Sequence, residues 1–499
     1  MSSFYPNAWK RESTDSAYGR TDSNQRVMPP GSFSDYRQIA NMKINPDCLR
    51  QLERIVGPPH FSAKREDLVC YGYDATANLH VPDAVVFPAS AQQVSQIMQL
   101  AAAFRTPVIP RGGGSGMTGG SLAVKGGIVV VFNRMNRIIE IDQDNLIALV
   151  QPGVITAVFQ DEVKRHGLFY PPDPSSAAFS TMGGNLAECA GGPKAVKYGV
   201  TRDYVLGLEA VLPTGEIVKT GVRTAKGVVG YDLTRLIVGS EGTLAMITEA
   251  TVRLLPLPEA VMTLTAAFDS MNAAARAVSD IIRSHIVPRT IEFMDNAAIR
   301  LAEGYLHVGL PVDAGALLIM EVDGKRDEIK RLARGLEDLS RQLGAVSVDV
   351  AETQEQAHRL WQARKAISPA LFKLAPHKIN EDIVVPRSRV PDLVAKIDEL
   401  RRETGLTMVA FGHAGDGNIH FNIMLDKSDP SALETANRAV DILFDATLAL
   451  GGTISGEHGV GITKAPYLRK EVNAEAMALM QRIKKAFDPL ELVLGSSRY

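Results

Sequence analysis

Apolar positions recur along this chain at two spacings, and the places where the spacing changes set the predicted elements. Alternating or unbroken short apolar runs read as strands, and a spacing of three to four reads as helix. Ala84–Phe87 is a short apolar strand, after which Pro88-Ala89-Ser90 opens a helix with Ser90 as its cap. Val94, Ile97, Met98 and Ala101 fall on one face of that helix. Val108–Pro110 predicts a strand that runs into a glycine-rich loop, and three strands follow quickly at Ile128–Phe132, Ile138–Ile141 and Ile147–Gln151. A helix is expected from about Val154 to His166, then strands around the tight turn Pro213-Thr214-Gly215-Glu216. A helix from Leu233 and a strand over Leu244–Leu254 close this half.

Pro256-Leu257-Pro258 then punctuates the chain, because proline cannot join a central ladder and restricts the residue before it. Beyond it the pattern alternates. Met262–Phe268 precedes a helix through Ile282 and a strand at Thr290–Met294. Leu317–Val322 leads into a long charged helix ending near Leu343, then Val346–Val350. Ile383–Val385, a helix over Val390–Arg402 and a strand at Thr407–Phe411 form a third unit, and the chain from Leu433 reads as mostly helical. Strands and helices in this rhythm predict a sheet layered with helices.

At 499 residues the chain predicts two to four domains of ~100–200 residues each. Its 54 Lys and Arg against 56 Asp and Glu leave no basic stripe, so nucleic acid is not expected as a partner. Cys48, Cys70 and Cys189 have neither CxxC spacing nor a disulfide framework, which predicts a reducing compartment. No apolar run approaches the ~20 residues of a membrane span. Residues 1–45 are polar, lack the apolar centre of a secretory signal and are expected to form a mobile arm. The cytoplasm is the expected location, either free or peripheral to the inner membrane, with a weak organelle-targeting signal in the arm as the lesser reading.

The strongest local signal is PRGGGSGMTGG, Pro110–Gly120, in which six of eleven residues are glycine. Such a loop lets successive backbone N–H groups line a concave anion site, which suits a pyrophosphate. It matches neither GxxxxGK[ST] nor a GxGxxG that opens a helix, and the strands that follow disfavour P-loop and Rossmann readings. PPDPSS (Pro171–Ser176), STMGGNLAECAGG (Ser180–Gly192), KYG (Lys197–Gly199) and GSEGTLAMIT (Gly239–Thr248) read as further loops of small residues. A long, flat, phosphate-bearing cofactor would use them together.

These segments resemble the flavin-binding domain of the vanillyl-alcohol-oxidase, or PCMH, type. The resemblance implies FAD, with Arg111, Gly112, Gly113, Gly114, Ser115, Gly116, Thr118 and Gly119 at the pyrophosphate. It implies contacts to the rest of the cofactor from Pro172, Asp173, Ser176, Gly183, Gly184, Asn185, Gly191, Gly192, Tyr198, Gly199, Glu241, Gly242 and Ile247. Members with histidine-linked flavin carry His where this chain has Gly114, so non-covalent FAD is implied. Cys189 reads either as a thioether site or, preferably, as an inert core residue.

In the second half, FGHAGDGNIHFNI (Phe411–Ile423) places His413 and His420 around a Gly-Asp-Gly-Asn turn, and GTISGEHGVG (Gly452–Gly461) adds Glu457 and His458. Two imidazoles and a carboxylate suit Zn²⁺ or Mn²⁺ with positions open to substrate, the plainer reading being core histidines. Such a metal can hold the hydroxyl and carboxylate of a 2-hydroxy acid, leaving His458 as general base. Adjacent residues of an extended segment point opposite ways, so Glu457 and His458 serve together only if the glycines bend the loop. Arg364 and Lys378 read by themselves as solvated surface charges.

This half resembles the C-terminal domain of FAD-linked D-2-hydroxy-acid dehydrogenases: the glycolate oxidase D subunit, D-lactate dehydrogenases and D-2-hydroxyglutarate dehydrogenase. HxGDGNxH and SGEHGxG carry the resemblance, which spans about Cys48 to Leu494. It implies Arg364, Ser368 and Lys378 at the substrate carboxylate, Asn422 beside the substrate, His413, His420 and Glu457 on the metal, and His458 as the base. The family's closing Asn-Pro-Gly-Lys stretch is replaced here by Asp488-Pro489-Leu490 and Leu492-Val493-Leu494-Gly495.

The predicted fold class is therefore α+β. A PCMH-type FAD-binding domain (46–257) is followed by an α+β substrate, or cap, domain with an antiparallel sheet (258–450). A helical C-terminal segment (451–499) returns to the flavin domain. The expected activity is oxidation of a D-2-hydroxy acid to the 2-oxo acid, with electrons passing to an electron-transfer flavoprotein, a quinone, a cytochrome or an iron–sulfur subunit. The resemblance favours a homodimer. A non-catalytic flavin-binding electron-relay subunit is the alternative, and an ether-lipid synthase of the same superfamily is a third reading.

Overall fold

The structure, a computed structural model, describes residues 44–76 and 78–493. The expected arm lies outside the described residues except for Ile44 and Asn45, and Leu494 and Gly495 also lie outside them. Asn45 caps the helix Pro46–Val56 by accepting from Asp47 N–H at 2.8 Å.

Two larger sheets and a short antiparallel pair, Leu168–Phe169 with Leu255–Pro256, build the first half. In the first, the strands run in the order Phe61–Ser62, Ala84–Val86, Ile128–Val131, Val108–Arg111, the last three mutually parallel. The helix Ala91–Phe104, capped at Ser90 as the sequence predicts, carries the chain from Ala84–Val86 over to Val108–Arg111, and residues 112–127 bring it back to Ile128–Val131 between them. The unbroken apolar runs of these strands follow from burial on both faces. The second sheet is antiparallel, in the order Ile138–Asp142, Ile147–Val150, Met246–Arg253, Val205–Val211, Ile217–Gly221. One expected loop is instead a helix, Met182–Glu188, inside the glycine-rich stretch Ser180–Gly192. Thr181 caps it by accepting from Gly184 N–H, and Met182 and Leu186 anchor it in the core, which offsets the low helix propensity of Gly183 and Gly184.

The second half is a seven-stranded antiparallel sheet. Its order is Ser347–Val350, Ala260–Phe268, Ala316–Gly324, Thr290–Asp295, Thr407–His413, Asn418–Leu425, His377–Val384. Helices Met271–Arg283, Arg326–Gln342, Val390–Thr404 and Pro430–Ala449 cover one face, on which Phe293, Ile383, Ile419 and Phe421 are fully buried. Strand side chains alternate between faces. The register therefore places Glu292, Glu321, Asp323, Asp382, Phe411, His413, His420, Asn422, Asn380 and Lys378 together on the other face. The last strand begins at His377, earlier than the apolar pattern predicts, because its first half alternates polar site residues with Ile379 and Glu381.

The chain then returns to the first half. Thr453 pairs with Val384, and Glu241 accepts from Val460 and Gly461 N–H at 2.7 and 2.9 Å. Thr118 C=O accepts from Ile462 N–H at 2.7 Å. At the end of the described chain Leu492 C=O accepts from Val108 N–H at 2.8 Å, on the strand that leads into the glycine loop.

Candidate functional site

A partly open, elongated cavity runs between the glycine loops of the first half and the polar face of the seven-stranded sheet. Gly112 to Gly116 line one side, with Gly183, Gly184 and Asn185 of the short helix beside them and Glu241, Gly242 and Ile247 farther along. Their backbones meet closely. A Cβ on Gly112 would lie 2.4 Å from Thr181 Oγ1, and one on Gly113 would lie 2.4 Å from the Phe179 carbonyl. Gly112 and Gly113 are thus required by close backbone approach as well as by any ligand, and Gly183 by its approach to Pro152, whose Cβ would lie 2.5 Å from one added there. Arg111 is buried beneath the loop, where Nη2 donates to Tyr73 C=O and Nη1 to Ser121 Oγ. Gly114, at φ +66°, has room for no side chain without displacing that guanidinium.

The far wall carries Arg364, Ser368, Asn380, Phe411, His420, Glu457 and His458. His413 lies behind His420. His413 Nε2 is 3.2 Å from Glu457 Oε1 and 3.3 Å from His420 Nε2, and His420 Nε2 is 3.6 Å from the same carboxylate oxygen. Glu292, fully buried, accepts from His413 Nδ1 at 2.5 Å, which leaves His413 Nε2 with a lone pair toward the cluster in the neutral ring. Lone pairs converging this closely need a proton or a cation between them, so the donor set fits a divalent ion. Without metal, His413 supplies that cation: burial disfavours its charged form, but Glu292 and Glu457 overcome this and raise its pKa well above the usual histidine value. Burial and the neighbouring charge of His413 hold His420 well below it.

The loop carrying Glu457 and His458 bends so that both side chains reach the cavity, which an extended segment would prevent. Asp382, fully buried, organises the bend. Its Oδ2 accepts from the N–H groups of Gly456, Glu457 and His458 at 2.9, 2.7 and 3.0 Å. Its Oδ1 pairs with Lys464 Nζ and lies 3.5 Å from His458 Nδ1. Burial opposes ionisation of Asp382, yet His458 and Lys464 hold its carboxyl well below the usual range. The His458 ring stacks on His420, centroids 5.2 Å apart.

Arg364 pairs through Nη2 with Glu292 Oε2 at 2.6 Å and lies 4.7 Å over the Phe411 ring. Among the described residues its Nε is buried without a hydrogen-bond partner, as is Asn380 Oδ1. Such atoms at a cavity wall suit a polar ligand. Lys378 Nζ donates to Ser368 Oγ at 3.1 Å, and burial lowers its pKa. Asn422 is fully buried, accepts from Asn380 Nδ2 at 2.7 Å and donates to the Val409 carbonyl.

Of the residues picked out in the sequence, Arg111, Gly112–Gly116, Ser176, Gly183–Asn185, Glu241, Gly242, Ile247, Arg364, Ser368, His420, Glu457 and His458 line the cavity. The others do not line it. Thr118 and Gly119 pack on the Gly461–Ile462 turn, Pro172 accepts from Gln160, and Asp173 pairs with Lys194 at 2.8 Å beside Gly192. Gly191 abuts Glu457, Gly199 abuts Asp203, and Tyr198 donates to Asp323 at 2.7 Å, so KYG meets the cap sheet. Cys189 ends the short helix in a left-handed conformation near Arg202, and burial raises its thiol pKa. Sequence reading passed over Glu292, Asp382, Lys464, Lys365 and Asn380. The alternation phase of IEFMD and KINED, matched to that of HxGDGNxH, would have placed Glu292, Asp382 and Asn380 on the site face.

Residues 82–221 match the family described as FAD binding domain, and 257–493 match FAD linked oxidases, C-terminal domain. Glycolate oxidase subunit GlcD of Bacillus subtilis (strain 168) is 44% identical over 90% of this chain and 96% of its own length. D-lactate dehydrogenase of Anaerostipes hadrus is 33% identical over 82% of this chain and 87% of its own. Among solved structures, p-cresol methylhydroxylase superposes with a TM-score of 0.75 at 16% identity, covering 95% of this chain and 99% of that one. Alkyldihydroxyacetonephosphate synthase reaches 0.69 at 20% identity, covering 95% and 88%. These two likenesses establish the vanillyl-alcohol-oxidase/PCMH fold.

Proposed function

We propose that this chain, which belongs to the family of FAD-linked 2-hydroxy-acid oxidoreductases that includes glycolate oxidase subunit GlcD and D-lactate dehydrogenase, oxidises a D-2-hydroxy acid of the lactate, glycolate or 2-hydroxyglutarate class to the 2-oxo acid. The observation that carries this reading is the convergence of His413, His420 and Glu457 beside His458 and Arg364, across one cavity from the glycine loops. FAD bound along those loops supplies the two-electron acceptor, and a divalent cation held by His413, His420 and Glu457 supplies Lewis acidity.

The chain's own groups do the rest. Arg364 presents a guanidinium to the substrate carboxylate, already oriented by Glu292 and the Phe411 ring. Ser368 and Lys378 stand beside it. His458 takes the hydroxyl proton, and Asp382 near its Nδ1 orients the ring so that Nε2 serves as acceptor. The electrons would leave the site for a flavoprotein, quinone, cytochrome or iron–sulfur subunit, a role consistent with the subunit status in the relative's name. No helix among the described residues is long and apolar enough to cross a membrane, and we place this activity in the cytoplasm or at the inner membrane surface.

The test is anaerobic flavin bleaching near 450 nm with D- and L-lactate, glycolate, and D- and L-2-hydroxyglutarate, each with and without chelator. Bleaching by glycolate or by one D-acid, abolished by chelator, is expected. Bound, chemically reducible FAD that no acid bleaches would overturn the reading in favour of an electron-relay subunit. His458→Asn should retain flavin and metal while reduction slows about 10²–10⁴-fold, the usual worth of a general base. Unchanged reduction would remove His458 from that role.

A further inference from the structure

We propose that Glu292 is a positioning residue shared by the two halves of the site, fixing the His413 ring for the metal and the Arg364 guanidinium for the substrate carboxylate. The inference rests on the metal and substrate reading above. Glu292 is fully buried on the strand Thr290–Asp295, next in register to the end of Thr407–His413. A carboxylate in such a place is costly unless every charge is answered. Its two oxygens answer different partners. Oε1 takes the His413 Nδ1 proton at 2.5 Å, and Oε2 meets Arg364 Nη2 at 2.6 Å.

Each contact selects a state of its partner. With Nδ1 committed as donor, His413 can offer only Nε2 to the cluster, the arrangement by which carboxylates orient metal-bound histidines. Ion-paired through Nη2, Arg364 lies over the Phe411 ring, and its buried Nε has no hydrogen-bond partner among the described residues. The charge of Arg364 also neutralises Glu292, so the field behind His413 depends on where that guanidinium sits. One side chain therefore ties metal affinity to carboxylate affinity. A carboxylate that merely stitches the sheet to the helix Gln354–Ala370 would affect melting and neither affinity.

The experiment uses the full FAD-loaded chain and Glu292→Gln, which keeps the side-chain volume. Mn²⁺ Kd is measured by chelator competition without substrate. At saturating Mn²⁺ the Kd of oxalate, a non-reacting dicarboxylate probe, is read from the flavin absorbance. Both constants should rise, Mn²⁺ by about 10–100-fold and oxalate by roughly 10-fold, the loss of about one charge-assisted contact, with FAD content unchanged. Either constant staying within twofold overturns the shared role. Should E292Q not fold, Glu292→Asp, which keeps the charge but withdraws it, is expected to weaken both constants together, and weakening of one alone overturns the proposal. Wild-type protein that takes up neither Mn²⁺ nor Zn²⁺ refutes the proposed function together with this inference. Wild type that binds Mn²⁺ while E292Q binds it equally refutes the inference alone.

Discussion

Asp382→Asn is the most informative single change to the scaffold of this site. The fully buried carboxylate holds three consecutive backbone N–H groups on Oδ2 and the buried Lys464 ammonium on Oδ1. An amide cannot replace it in either orientation. With its oxygen toward the loop, Lys464 loses its strongest counter-charge; with its NH₂ toward the loop, three donors face a donor. Breaking one partner of a buried pair costs about 3–5 kcal/mol. The loss falls on the 456–458 loop, whose opening free energy should drop by most of that amount. Amide hydrogen exchange at Gly456, Glu457 and His458 should then accelerate by roughly two to four orders of magnitude, at ~1.4 kcal/mol per decade. Flavin reduction should fall with it, since Glu457 and His458 move together. pH provides a second reading. The Asp382 carboxyl is held below its unfolded value, so its contribution is fully present above the unfolded pKa of about 4 and is lost only as pH falls toward the folded pKa. Wild-type protection should therefore be flat from neutral pH to about 5 and weaken below about 4, while the Asn variant lacks that acid step. Exchange at the three amides within threefold of wild type would refute the account of how this loop is held.

Replacing His420 by Ala should lower bound metal and substrate-dependent bleaching together; metal at wild-type stoichiometry would show the ligand set to be wrong. Glu381, on the opposite face of its strand, is raised to about 7 by burial, only partly countered by Lys464. The folded state thus keeps a proton that the unfolded chain releases at about 4.3. Stability should fall as pH rises through that window, and Glu381→Gln should remove the slope, giving about 1–3 kcal/mol at pH 8 relative to wild type. Equal Tm-versus-pH curves for the two proteins would contradict this. Gly461 sits at φ +51° with a would-be Cβ 2.0 Å from the Thr118 carbonyl, so Gly461→Ala should displace the glycine loop and weaken FAD retention at least tenfold. An Ala variant that holds FAD within twofold of wild type would refute that coupling.

Local chemistry made much of this molecule legible in its sequence. Ser90 and the periodicity after it predict the helix Ala91–Phe104, because a cap and an apolar face are properties of neighbouring residues. HxGDGNxH is likewise self-contained: a hairpin brings His413 and His420 to one sheet face without help from elsewhere. Glu457 and His458 were visible as chemistry but not as geometry. Only the tertiary structure bends their loop, through a carboxylate 74–76 residues earlier that accepts its N–H groups. Glu292 was silent for the same reason. It reads as one acid in an apolar strand until the sheet sets it between a histidine 121 residues away and the helix that carries Arg364. Patterns fix what is decided within a few residues, namely caps, turns, alternation and hairpin partners. The depth of a charge, and therefore what it must bind, is decided by which distant surfaces close over it.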